Sequence, residues 1–262
     1  MTGSSAGVLS ASIALARRAL RNSFRRPQFL APLVIFPTLF LAVNVGGLTR
    51  TTSLPGFPRV EGFLDFQLAA AMTQSLLLGG GSTGIATARE IEGGFFDRLV
   101  SSPVPRLALV LGRLLAAAIV SAFQIVYFLV VGLVFGASIA GGIPGALLVL
   151  LIGVIAGVGF GAIGQAIALR ARSASTVQGI FPLVFVILFV SSAFFPRDLL
   201  ESPLDVVARY NPLSYVADGM REPIIQGVEA AAVLEGLAAA SLIAVVATGI
   251  SVLALRGKLG AA

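Results

Sequence analysis

Long apolar runs separated by short polar stretches dominate the chain. Six of them, at about residues 28–48, 64–87, 107–135, 143–169, 176–195 and 231–255, are long enough to cross about 30 Å of hydrocarbon, which takes around 20 helical residues. Pro32, Pro37 and Pro182 fall inside these runs, where membrane helices tolerate proline, usually with a kink. Ahead of the first run, Leu9, Ile13, Ala16, Leu20 and Phe24 share one helical face, and Arg17, Arg18, Arg21 and Arg25 share the other. This spacing predicts an amphipathic elbow helix over 8–26, lying in the headgroup layer with its cations toward anionic lipid. The run that follows is too long for the core of a signal peptide, which spans about 7–15 residues. Residues 1–7 are small and polar and read as disordered.

Between the second and third runs the pattern changes. Residues 88–106 read Ala-Arg-Glu-Ile-Glu-Gly-Gly-Phe-Phe-Asp-Arg-Leu-Val-Ser-Ser-Pro-Val-Pro-Arg. Ile91, Phe95 and Leu99 recur every four residues and form one apolar stripe on a helix, with Arg89, Glu92 and Arg98 off it. Pro103 and Pro105 cannot continue a helix and place its end near Ser101. Each of Gly93 and Gly94 costs a helix about 1 kcal/mol relative to alanine, which suggests a bend or a close backbone approach. A short amphipathic helix over 89–101 on the water side of a membrane is a docking device; the plainer reading is a solvated loop with a few charges.

Composition narrows the class. Of 262 residues, 57% are apolar and 11% charged, and the mean hydropathy is +0.98. Soluble domains are about 45–50% apolar, so this is an all-α, polytopic membrane protein, read as a single transmembrane domain over 1–262. The chain has no Cys, His or Trp, which excludes disulfides, thiolate or imidazole metal sites, and Ser-His or Cys-His catalysis. No metal site and no bound cofactor is expected.

The net charge of +6 is explained by topology. With the N-terminus inside and the runs alternating, the inner segments hold Arg17, Arg18, Arg21, Arg25, Arg26, Arg89, Arg98, Arg106, Arg113, Arg170, Arg172, Arg256 and Lys258. The outer segments hold only Arg50, Arg59, Arg197, Arg209 and Arg221, while of the acids only Glu90, Glu92 and Asp97 fall inside. This is a positive-inside distribution with both termini in the cytoplasm. It places 88–106 there too, and nucleic-acid binding is not needed to explain the basicity.

Within the runs, ionisable groups keep to the ends. Asp65 and Glu235 are near outer ends, and Arg113 is near an inner end from which it can snorkel. Asn44, Gln67, Gln74, Gln124, Tyr127 and Gln165 are the polar groups left in the hydrocarbon; they either hydrogen-bond between helices or line a path for substrate. Gly153, Gly157 and Gly161 mark a face where another helix packs closely. The run Gly79-Gly80-Gly81-Ser82-Thr83-Gly84 lacks the lysine of a phosphate-binding loop and reads as a flexible or tightly packed end of the second run. Outside, Ser202-Pro203 and Asn211-Pro212 each pair a capping residue with proline at the first helical position. They predict two short helices over 202–222, the first with a capping box from Ser202 and Asp205, the second with Leu213, Val216, Ala217 and Met220 as its apolar stripe. These either dip back into the outer half of the bilayer or form an ordered loop.

With the elbow helix, the segment from Ala88 to Pro103 and the stretch Tyr210-Asn-Pro-Leu-Ser-Tyr-Val-Ala-Asp-Gly-Met-Arg221 in view, nearly the whole chain resembles the type-2 permeases of ATP-binding-cassette (ABC) transporters, in the daunorubicin-resistance branch of drug and lipid exporters. The second segment is similar to the family's Arg-Glu…Gly…Leu…Ser-Pro coupling segment and the third to its Asn-Pro-Leu-x-Tyr stretch. The chain departs from the pattern at or beside Phe96, where such permeases carry Glu. The resemblance implies a homodimer with two separate ABC ATPase subunits, which would carry the ATP and Mg. It implies coupling to them through Arg89, Glu90, Glu92, Gly93, Phe95, Phe96, Asp97, Arg98 and Leu99. It further implies a substrate path between the copies lined by Phe36, Phe40, Asn44, Gln67, Gln74, Phe185, Phe189 and Phe194, an external gate shaped by Tyr210, Asn211, Tyr215 and Asp218, and a place in a prokaryotic plasma (inner) membrane.

The residues agree on one point: the chain has no nucleotide site, so ATP-driven work must come from a partner. An ion-coupled carrier would place an ionisable group near the midplane of a span, and none is there. An intramembrane enzyme lacks groups for acid–base work. Zero Trp and three Tyr argue against a polysaccharide or lipid-linked glycan as cargo; a drug, secondary metabolite or lipid suits an apolar pathway better.

Overall fold

The computed structural model describes residues 5–25 and 27–260, and the expectations for residues 1–4 and for Arg26 lie outside them, as does the side chain of Lys258. The described residues form ten α-helices: α1 (Ser5–Phe24), α2 (Pro27–Leu48), α3 (Phe63–Glu92), α4 (Phe95–Ser101), α5 (Arg106–Val134), α6 (Gly142–Ala171), α7 (Ala174–Phe189), α8 (Leu204–Tyr210), α9 (Pro212–Ile225) and α10 (Ala230–Gly260). Four are long and apolar enough to cross a membrane, over Leu30–Ser53, Arg106–Val134, Gly142–Ala171 and Ala230–Gly257. Two of the six expected runs fall short of that standard for different reasons. Helix α3 has 30 residues but carries Gln67, Thr73, Gln74, Ser75 and a glycine run, and most of its length is buried by protein. Helix α7 is apolar but has only 16 residues: the run expected to reach residue 195 ends at Phe189 and turns.

Helix α3 is the axis of the bundle. It packs against α2, α5, α6, α7 and α9, while α6 also holds α5 and α10. The crossing of α3 and α6 is made by glycine. A Cβ at Gly80 would lie 2.6 Å from the Phe160 carbonyl oxygen, and one at Gly164 would run into that of Gly80. The Gly79–Gly84 run is thus a tight backbone contact. The glycine row of α6 faces α5: Gly153 meets Ile125, Gly157 meets Ser121 and Gly161 meets Ala117.

Two apolar clusters fill the interior. The larger joins Leu68, Met72, Leu76, Ile125, Phe128, Ile152 and Met220. The smaller gathers Ile91, Phe96, Leu109, Val110, Leu169 and Leu255 around α4. They lie toward opposite ends of α3, whose 30 residues span about 45 Å at 1.5 Å per residue. One end carries α1 and α4; the other carries α8 and α9.

The elbow helix leaves Leu9, Ile13 and Phe24 of its apolar face exposed and buries Ala16 and Ser12, because α1 lies along α5 at Gly112, where a Cβ would be 2.7 Å from Leu15 and 3.0 Å from the Ser12 carbonyl. Small residues allow that approach, and the larger apolar ones are left outside it. The predicted cap at Asn211 is present, with its Oδ1 accepting from the Leu213 N–H at 3.0 Å. The one at Ser202 is not: Pro203 holds the N-cap position of α8 without a side-chain cap, and the Ser202–Pro203 peptide is cis.

Candidate functional site

The segment expected to dock is two elements. Residues 89–92 continue α3, and α4 begins at Phe95 after a turn through Gly93 and Gly94. Gly94 has φ +67°, a left-handed conformation that glycine adopts at no steric cost, so the predicted bend sits there and replaces a single helix over 89–101. Helix α4 ends at Ser101, two residues before Pro103.

The side chains of this segment divide between inside and outside. Phe96 is 1% exposed and anchors α4 in the smaller apolar cluster, with Leu99 packed against it. Phe95 receives the Arg18 guanidinium over its ring at 3.6 Å, with Arg98 at 5.9 Å. Asp97 and Arg98 are exposed on α4, as are Arg89 and Gly93 on the turn side.

Glu90 is half-buried, whereas Glu92 is exposed and reaches across to α7. Glu90 pairs with Arg18 of α1 at 3.1 Å and with Arg113 of α5. Arg113 also donates to Thr87 Oγ1 at 2.9 Å. Arg113 therefore does not snorkel to water: one α3 carboxylate holds it and joins α1, α3 and α5. Glu92 accepts from the Ala174 N–H at 2.8 Å, at the start of α7. Sequence reasoning missed Arg18, Thr87 and Arg113 as partners. The available signal was Arg113 itself, a lone cation within an apolar run, for which pairing is the alternative to snorkelling.

Of the residues expected along a substrate path, five come together. Phe36 and Phe40 of α2 meet Phe185 and Phe189 of α7 and Phe194 just beyond it, with centroid distances of 5.1–6.5 Å. Offset and edge-on ring contacts of this kind hold aromatic clusters together. Asn44, one turn past Phe40, donates to the Phe40 carbonyl at 2.8 Å. Gln67 and Gln74 lie elsewhere. Both are buried on α3, and neither amide atom of Gln74 finds a hydrogen-bond partner among the described residues.

At the α8/α9 end, Asn211, Tyr215 and Asp218 surround the end of α7. Asn211 Nδ2 donates to the Ile187 carbonyl at 2.7 Å. Tyr215 donates its hydroxyl proton to the Arg209 carbonyl at 2.8 Å and lies under Arg197 at 4.4 Å. Asp218 accepts from Ser192 Oγ at 3.0 Å and pairs with Arg197 at 2.9 Å and with Arg221. Tyr210 stands apart and is 80% exposed. The centre of this network is Arg221, which sequence reasoning placed off the buried stripe. Its side chain is buried, donates to the Phe66, Ser192 and Ala193 carbonyls, and stacks over the Phe66 ring at 3.9 Å. Those bonds tie the start of α3 to the turn after α7. Nearby, removal from water and the neighbouring Glu229 and Asp218 carboxylates push the Glu222 carboxyl up to about 7.

Residues 11–225 match the family described as ABC-2 type transporter. Over 216 residues, 79% of this chain and 72% of the relative, the chain is 25% identical to a Porphyra purpurea protein named as a transport permease, ycf38. The match runs from α1 through α9 and so includes the α3–α4 turn, the aromatic cluster and the Arg221 network. The chain is an all-α, multi-pass membrane protein that belongs to the ABC-2 type transporter permease family.

Proposed function

We propose that this chain is the membrane-spanning subunit of an ATP-driven exporter in the daunorubicin-resistance branch, moving a hydrophobic or amphipathic drug, secondary metabolite or lipid out of a prokaryotic cell across its plasma membrane. It crosses the bilayer six times, with the less apolar α3 and the shorter α7 as its second and fifth spans, and both termini are cytoplasmic. Two copies form the pathway, and two separate ATPase subunits supply the energy from Mg-ATP. Polar residues on α3 are compatible with a span because most of that helix faces protein and not lipid.

The observation that carries this reading is the build of α4. A seven-residue helix is anchored from within by Phe96 and presents Asp97 and Arg98 outward, at the end of the bundle where the cations gather. A rigid, charged knob held by an apolar root suits contact with a water-soluble partner. The five clustered phenylalanines support an apolar cargo. The gate residues Asn211, Tyr215 and Asp218 close the far end, around the turn after α7.

The test is to purify the tagged chain together with the ATPase subunit encoded beside it, reconstitute the assembly, and measure ATP hydrolysis with and without an anthracycline probe. Co-purification and stimulated hydrolysis are expected. Transport of the probe by the chain alone, driven by a proton gradient, would identify an ion-coupled carrier instead.

A further inference from the structure

Glu90 and Glu92 leave the same end of α3 in different directions, because two residues turn an α-helix by about 200°. Glu90 faces α1 and α5 through Arg18 and Arg113. Glu92 faces α7, where its Oε1 accepts from the Ala174 N–H at 2.8 Å. Ala174 opens α7, and its N–H is one of the donors that a helix leaves without an internal partner. The N-cap, Ser173, accepts from the Thr176 N–H at 3.4 Å and leaves that of Ala174 to Glu92. A carboxylate at this position is favoured by the partial positive charge of the helix start and by the strength of a charge-assisted bond. Around it, Ala88, Ala168, Ala174 and Val177 form a small buried apolar contact, which sets spacing without fixing direction.

We propose that Glu92 is a positioning residue that makes α7 follow α4: its carboxylate, held on the first N–H of α7, passes a displacement of the α3–α4 turn to the helix carrying Phe185 and Phe189. This rests on the proposed function, in which α4 meets the ATPase. Only Gly93 and Gly94 separate Glu92 from α4, and backbone bonds from Gly93 to Arg89, from Gly94 to Ile91 and from Arg98 to Gly94 tie that turn to both helices. Along α7, Phe185 lies eleven residues past Ala174, about 16 Å at 1.5 Å per residue, on one continuous helix that contains Pro182. The same turn holds α1 and α5 through Glu90, so the two carboxylates distribute one movement to both sides of α3.

The test uses the assembly of the chain with its ATPase subunits. Because the sequence has no cysteine, Leu183→Cys on the exposed face of α7 can carry a single bimane fluorophore, and its emission is compared between ADP and ATP with vanadate. Two variants remove the bond from opposite sides. Glu92→Ala deletes the acceptor. Ala174→Pro deletes the donor at a helix position where proline is favoured, behind a Ser173 that is already extended at φ −137°, ψ 128° as a residue before proline requires. Both should lose the nucleotide-dependent emission change; Ala174→Pro, which leaves the α3–α4 segment untouched, should do so while the ATPase still co-purifies and hydrolyses ATP, and Glu92→Gln, which keeps an acceptor, should recover part of the change. A full emission change in either deletion variant overturns the inference and leaves the proposed function standing, as does a silent label in a parent assembly that hydrolyses ATP. Failure of any ATPase to co-purify with the parent chain overturns both.

Discussion

Gly80 and Phe160 meet backbone to backbone where α3 crosses α6: a Cβ at Gly80 would stand 2.6 Å from the Phe160 carbonyl oxygen and 2.8 Å from its carbonyl carbon. Neither neighbour is the end of a flexible side chain, so the helices must separate to admit even a methyl group. Gly80→Ala is therefore expected to destabilise the protein by about 2 kcal/mol, as overpacking of a tight interior does. Gly249→Ala on α10, where nothing lies within 4 Å, should be neutral or slightly stabilising through helix propensity. Thermal unfolding of the two variants in detergent checks the contrast.

The Glu90–Arg113 pair predicts non-additive losses. Removing one partner of a buried ion pair leaves an uncompensated charge and costs about 3 kcal/mol or more. Glu90→Gln and Arg113→Gln should each approach that loss, since the side chains of Glu90 and Arg113 are 22% and 13% exposed. The double variant should cost clearly less than the sum, because both charges are then gone. A double-mutant cycle on thermal stability measures the coupling, and additive losses would mean the pair is not formed.

Much of this fold is legible in the sequence because its signals are local. Hydrophobic run length gave α2, α5 and α6 to within two residues and the start of α10, which runs five residues past the expected end; Pro103 and Pro105 fixed the end of α4, and Asn211-Pro212 fixed the start of α9. What was illegible depends on tertiary partners. The pairing of Glu90 with Arg113 and of Glu92 with the Ala174 N–H follows from where those partners arrive, and no periodicity along 88–106 encodes that. Arg221 looks like a surface cation on a helical wheel; it is buried because Asp218 and the Phe66, Ser192 and Ala193 carbonyls converge on it. The early end of α7 has the same cause, since the turn after Phe189 is held by Arg221 and Asn211. The aromatic cluster was legible as a set of residues, though not as a set of contacts.

Glu222 predicts a pH dependence of stability. Its carboxyl has a folded-state pKa of about 7 against an ordinary 4.5, so between those values the folded protein binds more protons than the unfolded one. The sign follows from linkage: stability from this group is greatest below about pH 4.5 and declines as pH rises toward 7, beyond which no further loss occurs. Glu222→Gln should flatten that part of the profile and raise stability at pH 8 relative to the parent. Thermal unfolding across pH 5 to 8 reads both effects; a profile unchanged by the substitution would contradict the assignment.

The orientation and docking of α4 are tested together by one accessibility measurement. Arg98 is exposed on α4 and the chain has no cysteine, so Arg98→Cys offers a single thiol to a membrane-impermeant maleimide. In inverted vesicles the thiol should be labelled when the ATPase subunit is stripped away and protected when it is restored, while sealed right-side-out vesicles should show no labelling. Labelling in right-side-out vesicles, or equal labelling in inverted vesicles with and without the ATPase, would contradict the account.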